Sequence, residues 1–455
     1  MFRPVFISLF LAIGSALAFA QASSPEPAVN LQPASQMGQE LFDHSGSTGM
    51  VLVIVHDNKV FIEGYGETAP HSHETPGKDS FVRLCSLTKI FTTDVLTKMV
   101  LDHTVELNDP LQKFAPENIT VPGRDGQPIT LLHLATHTAG LHREVGYPPD
   151  AAEHFTYPDY AQRWNWLPQQ KLRWRPGTVA SYSNVGFDLL SDALAAAARK
   201  PYADLLSERT LKPAGMWETT YFPSAAQCQR LMIGARDNGD CTVTVNTAGS
   251  SGLYSTPVDM ARWLKYLLGT GGAGLPAQPR EAQLAYLTPD QLTHMIGLNY
   301  AGDPSGIGLG WVHVLAENDP SHLVEKTGGG AGFLTYLVLH PASHTALFVA
   351  ETDGRSKSHF NLFKASNNLL LSLAGAPPIP EKEAKPAAKT RKGAAAKGHA
   401  TAANAQGKMA TSPGKTTNKT AARQHAQSAA KPAKKSHATA PAKNRKTAKH
   451  KRAAE

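Results

Sequence analysis

From residue 381 onward the chain contains no Leu, Ile, Val, Phe, Tyr or Trp. A segment without those side chains has almost no apolar surface to bury, and the entropy of ordering it goes uncompensated. Residues 381–455 are therefore expected to be a disordered tail, and any core must be built from what precedes it. The tail carries nineteen Lys or Arg against three Glu, net +16; the whole chain is +8, so residues 1–380 are net −8. The basic character of the chain belongs to its tail.

The first twenty residues read as a secretory signal. Arg3 is their only charge, Pro4 to Leu17 form an apolar stretch short for a membrane span, and Ala18-Phe19-Ala20 supplies small residues for cleavage. No later run of eighteen apolar residues occurs. The expectation is export to the periplasm, with no transmembrane span in the mature chain and at most peripheral membrane attachment.

Residues 21–380 exceed the usual size of one compact core, so two lobes are expected. Gly49 to His56 and Lys59 to Tyr65 read as a hairpin about Asp57-Asn58, and Ser86 to Asp102 has helical periodicity. Helical patterns follow at Tyr160 to Trp166, Asn184 to Ala197 and Tyr202 to Leu211. Strand patterns return at Gly310 to Val314, Leu323 to Lys326, Gly332 to His340 and Thr345 to Glu351, and a helix from about Ser358 to Leu373 closes the fold. The predicted fold is mixed α/β (α+β). An antiparallel sheet flanked by helices is assembled from both ends of the chain (about 36–105 and 241–375), with an all-helical lobe (about 106–240) inserted.

Three cysteines divide usefully. Cys228 and Cys241 flank a short polar segment and in an oxidising compartment are expected to close it as a disulfide worth roughly 3 kcal/mol. Cys85 remains as a small buried residue beside Ser86.

Three motifs carry chemistry: Ser86-Leu87-Thr88-Lys89, Tyr182-Ser183-Asn184 and Lys326-Thr327-Gly328, in that order. A serine three residues before a lysine shares its helix face, so the amine reaches the hydroxyl. Ser-x-x-Lys alone is weak, since Ser412–Lys415 and Ser428–Lys431 in the tail also match. Ser86 differs in opening an apolar helix, where unpaired backbone N–H groups favour a developing oxyanion. Tyr-x-Asn matches only at Tyr182 among twelve tyrosines, and Lys326 lies on a predicted strand followed by Gly329 and Gly330. His133, His137 and His142 lack the carboxylate spacing of a zinc site, and His71 and His73 read as solvated loop residues, so no metal or other cofactor is expected.

These motifs, with Leu134 to Leu141, Pro213 to Met216 and Gly252 to Met260, resemble the penicillin-recognising serine enzymes of the class C β-lactamase branch. Asn108 to Leu111, Cys228 to Met232 and Glu325 to Gly330 bring the resemblance closer to its D-alanyl-D-alanine carboxypeptidase/endopeptidases. It runs from about Gln36 to Leu373, departing at Ala139 and Ala214, where Ser and Leu are common. The resemblance implies a β-lactamase/DD-peptidase fold and acyl transfer through a Ser86 ester, with peptidoglycan stem peptides as substrates and β-lactams as ligands. Lys89 and Tyr182 are the candidates to take the serine proton. Asn184 is expected to hold Lys89 and the substrate amide, Lys326 and Thr327 to engage the substrate carboxylate, Gly328 to join them in substrate binding, and the backbone N–H groups of Ser86 and Gly329 to form the oxyanion hole. A class C-type β-lactamase or related serine esterase would share these residues. A third reading makes the chain an envelope-binding protein acting through its basic tail; export argues against nucleic acid as that tail's partner.

Overall fold

The computed structural model describes residues 31–146, 152–236, 238–270, 280–353 and 360–380. The expected signal and basic tail lie outside these residues. Seven strands form the main sheet: β1 (Gly49–His56), β2 (Lys59–Gly66), β3 (Pro304–Ile307), β4 (Val312–Val314), β5 (Leu323–Gly330), β6 (Phe333–His340) and β7 (Thr345–Thr352). Their order is β2-β1-β7-β6-β5-β4-β3, and every neighbouring pair is antiparallel. The N-terminal hairpin thus docks on the C-terminal strand, with Met50 opposite Glu351 and His56 opposite Thr345. The sheet is assembled from both ends of the chain, as expected.

Five longer helices matter here: α1 (Ala34–Ser45), α2 (Thr88–Leu101), α3 (Asn184–Ala198), α4 (Pro257–Leu268) and α5 (Leu362–Ala374). Period-2 alternation sends Met50, Leu52 and Ile54 to one face of β1, where they pack with Leu41 of α1 and Leu369 to Leu371 of α5. Val51, Val53 and Val55 face the other way, into the main core shared with α2, α3 and α4. Helix α2 runs through that core. Residues Thr88 to Thr97 are all buried, consistent with a helix that carries apolar and small residues on every side. Phe91 stacks on Trp263 of α4 with ring centroids 4.2 Å apart; truncating either ring is expected to cost about 3 to 5 kcal/mol.

Several local expectations shift. The helix expected from Ser86 is preceded by a single 3₁₀ turn, Cys85–Leu87, and α2 proper begins at Thr88. The helix expected through Leu211 is α-helical only over Tyr202–Leu206, then widens into a π turn at Ser207–Leu211. Strand β5 extends to Gly330 because β6 offers a partner along its full length. Helix α5 starts at Leu362, where the Asn361 side chain accepts from the amides of Phe363 and Lys364. Cys228 and Cys241 are joined as expected, with Cα atoms 5.6 Å apart. Among the described residues no helix is long and apolar enough to cross a membrane.

Candidate active site

The turn that carries Ser86 is clamped from two sides. Leu84 N–H donates to the Leu253 carbonyl at 2.8 Å, and Thr335 Oγ1 of β6 donates to the Leu84 carbonyl at 2.9 Å. Cys85 adopts a left-handed backbone (φ 51°) that turns the chain from a short strand into the helix. Its thiol is fully buried and burial pushes it up to about 12, so it stays protonated beside the serine.

Lys89, one turn on, is completely buried. Its Nζ donates to Ser86 Oγ at 3.3 Å, to Asn184 Oδ1 at 2.7 Å and to the Ser250 carbonyl at 2.8 Å. Burial is the largest influence on this amine and pulls it down to about 7; the Asp188 and Glu144 carboxylates oppose that, whereas Arg143 adds to it. A neutral amine here keeps two N–H groups for Asn184 and Ser250 and turns its lone pair toward Ser86, the arrangement a proton acceptor requires.

Tyr182 and Asn184 arrive at the start of α3. Ser183 caps that helix, its Oγ accepting from Gly186 N–H while donating to the His142 carbonyl. Ser183 N–H donates to His137 Nδ1 at 3.1 Å, and Asn184 N–H donates to the Arg143 carbonyl at 2.9 Å. The segment from His137 to Arg143 therefore fixes the second motif. His137 also stacks on Tyr182 at 4.5 Å; burial holds it neutral, well below the usual histidine range. His133 serves a helix cap, its Nδ1 accepting from Thr130 N–H. No group of three or more His, Cys, Asp or Glu among the described residues is arranged to hold a metal.

The third motif lies on β5, opposite Leu337, Tyr336 and Thr335 of β6. Lys326 is buried, and burial lowers its amine from the ordinary lysine range. Gly328 is forced by close approach: a Cβ there would sit 2.2 Å from Thr335 Oγ1 and 3.2 Å from Ser86 N. Glycine lets the strand lie directly against the serine turn. Gly329 beside it is exposed.

Ser86, Tyr182, Thr327, Gly328 and Gly329 line one cavity of about 190 Å³, walled further by Arg143, Tyr300, Leu334 and Phe363. The structure thus gathers all three motifs at one cleft, with Lys89 and Asn184 beneath its floor. Three basic side chains surround the Tyr182 ring: Lys89 Nζ at 4.8 Å, Lys326 Nζ at 4.9 Å and Arg143 Cζ at 4.7 Å from its centroid. Such a concentration of positive charge favours an anionic ligand.

Sequence reasoning missed Arg143 and Glu144. Glu144 Oε1 accepts from Asn184 Nδ2 at 2.5 Å, which fixes the amide with its oxygen toward Lys89. The signal available was the motif Leu134 to Leu141 immediately before them. The Ser250 carbonyl was also missed, since a backbone acceptor has no residue-type signature.

Comparison with known proteins agrees with this geometry. Residues 35–365 match the Beta-lactamase family. The chain is 39% identical over 378 residues, covering 82% of this chain and 97% of the relative, to the D-alanyl-D-alanine-carboxypeptidase/endopeptidase AmpH of Escherichia coli. A Yersinia pestis protein described as beta-lactamase/D-alanine carboxypeptidase, solved with citrate, shares 40% identity with a TM-score of 0.71, covering 76% of this chain and 99% of that one. A class C β-lactamase of Rhodobacter sphaeroides, at 18% identity and a TM-score of 0.59 over 75% of this chain and 99% of its own, shares the fold. With its nucleophile turn, Tyr-x-Asn helix and Lys-Thr-Gly strand converging on one cleft, the chain is a member of the β-lactamase family.

Proposed function

We propose that this chain is an exported serine D-alanyl-D-alanine carboxypeptidase/endopeptidase that acts on peptidoglycan stem peptides and is acylated by penicillins. The observation that carries the reading is the contact of Lys89 Nζ with Ser86 Oγ at a cleft lined by Ser86 and by Thr327, Gly328 and Gly329 of β5. Similarity to AmpH over most of both chains supports the substrate class.

Ser86 Oγ attacks the carbonyl of the penultimate D-alanine and passes its proton to Lys89, with Tyr182 positioned above as the alternative acceptor. The N–H groups of Ser86 and Gly329 receive the carbonyl oxygen as it becomes negative; losing one such donor typically costs about 3 to 4 kcal/mol in the barrier. The proton moves on to the departing amine, which leaves as D-alanine or, from a cross-link, as the amine of the neighbouring peptide. Water then resolves the ester. Asn184 holds Lys89 in place, while Lys326 and Thr327 engage the carboxylate of the leaving residue.

The amino-terminal stretch, read as a secretory signal, supports a periplasmic location for this activity. Motivated by the charge split, the +16 tail is assigned to holding the net-negative catalytic part near anionic envelope surfaces, in a salt-dependent manner. Truncation at Pro380 should then release the protein from envelope fractions at low salt; unchanged retention contradicts that role.

Purified muropeptides incubated with the chain and with Ser86→Ala, followed by mass analysis, test the main reading. Loss of terminal D-alanine or opening of cross-links by the unaltered chain alone is expected; intact substrates contradict it. A second reading, β-lactamase, has support in the 25% identity to a Yersinia enterocolitica β-lactamase over 70% of this chain and 76% of the relative. Deacylation separates the two: a peptidase stays acylated by penicillin for many minutes, whereas a lactamase turns over at about 10 per second or faster.

A further inference from the structure

One buried carboxylate beside the candidate catalytic groups has no role in the steps above. Asp188 lies one turn along α3 from Asn184, is 1% exposed, and its Oδ1 has no hydrogen-bond partner. A carboxylate so placed is costly unless a positive charge answers it.

Arg163 is the stronger of the two cations acting on Asp188, but it acts without a hydrogen bond to it. Its Nε and Nη2 bond both oxygens of Asp192 at 2.6 Å, and its Nη1 donates to the carbonyls of Pro158 and Asn246. Its fork is committed to Asp192. The other cation facing Asp188 is Lys89, and Ser250 lies beside both: its carbonyl accepts from Lys89 Nζ at 2.8 Å, and its side chain helps to lower the Asp188 carboxyl against the effect of burial. Segment 249–251 is pressed against α3 so tightly that a Cβ on Gly249 would fall 2.0 Å from the Phe187 carbonyl.

We propose that Asp188 is a positioning residue for acyl transfer, the buried countercharge that lets Lys89 hold the proton taken from Ser86, with Ser250 as the link between them. The proposal rests on the acyl-transfer reading given above. When the bond from Ser86 Oγ to the substrate carbonyl carbon forms, the hydroxyl proton passes to Lys89 Nζ, and it leaves for the departing amine as the C–N bond breaks. Between those events a third cation is buried close to Lys326 and Arg143. Asp188 offsets it from the side remote from substrate.

The charged and titratable groups facing Lys89 are Asp188, Glu144, Arg143, Cys85 and Lys326, with Tyr182 and neutral His137 against it. Those facing Asp188 are Arg163, Asp192 and Lys89, with the phenols of Tyr202 and Tyr221. Burial raises the carboxyl and lowers the amine, so each depends on the other to ionise. Removing the carboxylate should make Lys89 lose its proton at lower pH and become a weaker base.

The test is single-turnover acylation of the full chain by a fluorescent penicillin from pH 5 to pH 9. Asp188→Asn is expected to move the acid limb down by about one pH unit and to lower the plateau about tenfold. Ser250→Ala, which keeps the carbonyl but removes the hydroxyl, should move the limb the same way by less. A merely structural role would lower the amount of active protein without moving the limb. An acid limb in Asp188→Asn that coincides with that of the unaltered chain overturns the proposal; should that variant not fold, an unmoved limb in Ser250→Ala does so. An unaltered chain that takes no penicillin contradicts acyl transfer itself, and the proposal with it, whereas an acylated chain with unmoved limbs contradicts Asp188 alone.

Discussion

Lys89 Nζ stands 3.3 Å from Ser86 Oγ but only 2.7 Å from Asn184 Oδ1 and 2.8 Å from the Ser250 carbonyl. The two shorter bonds go to groups that only accept, so they hold two N–H vectors whatever the charge on the amine. The third direction points toward the serine, where the proposed proton exchange would take place.

Acylation by a penicillin should therefore rise with pH along an acid limb near 7, where burial brings the Lys89 amine into its neutral form. The amine is protonated and inactive below that limb and neutral above it. Lys89→Arg, which keeps a permanent charge, should lower acylation at least about 100-fold at every pH. A pH-rate profile on both proteins checks the sign; a limb that falls with rising pH contradicts the assignment.

Glu144 is expected to act through Asn184. Without the carboxylate accepting from Nδ2, the amide loses the contact that fixes its orientation. Glu144→Ala should slow acylation about tenfold, the equivalent of one hydrogen bond. Asn184→Ala should reduce the effect of the Glu144 substitution to what its direct charge on Lys89 contributes, and a double-mutant cycle measures that coupling.

The strands and the three motifs were legible because each depends on local residue types. Period-2 apolar runs mark β1, β6 and β7, and a serine three before a lysine on a helical pattern marks the candidate nucleophile. What stayed hidden depends on contacts between distant segments. Strand β3 opens with Pro304 and carries an irregular register between Pro304 and Gly306, so its residues do not read as a strand. The 3₁₀ turn at Cys85–Leu87 is set by clamps from Leu253 and Thr335, which lie far along the chain. Glu144, Ser250 and Asp188 belong to no recognisable spacing; only the packing of α2 against α3 and segment 249–251 brings them around Lys89. The widening of the Tyr202 helix into a π turn has no sequence signal we can name.

Stability should carry the imprint of Glu351. This carboxyl is buried on β7 with Oε2 unpartnered, and burial pushes it up to about 7. A raised carboxyl is protonated in the fold and ionised in the unfolded chain. Its stabilising contribution is thus complete below the unfolded value near 4.5 and is lost as pH rises toward 7. Glu351→Gln should leave stability unchanged at pH 4 and add roughly 2 to 3 kcal/mol at pH 8. Urea unfolding at the two pH values checks this, and an equal effect at both contradicts it.

The Cys228–Cys241 bridge closes a short loop, with a sequence separation of 13. Replacing both cysteines by serine should lower unfolding stability by about 3 kcal/mol. Denaturant unfolding of the two oxidised proteins measures the difference.

The central claim is that Ser86, activated by Lys89, forms a covalent ester in this cleft. Intact-protein mass spectrometry after brief incubation with benzylpenicillin, at a pH above 7, tests it most directly. The unaltered chain should gain the mass of one penicilloyl group, on the peptide that contains Ser86, and Ser86→Ala should gain none. An adduct of equal yield on Ser86→Ala, or an adduct mapped to another residue, would contradict the account.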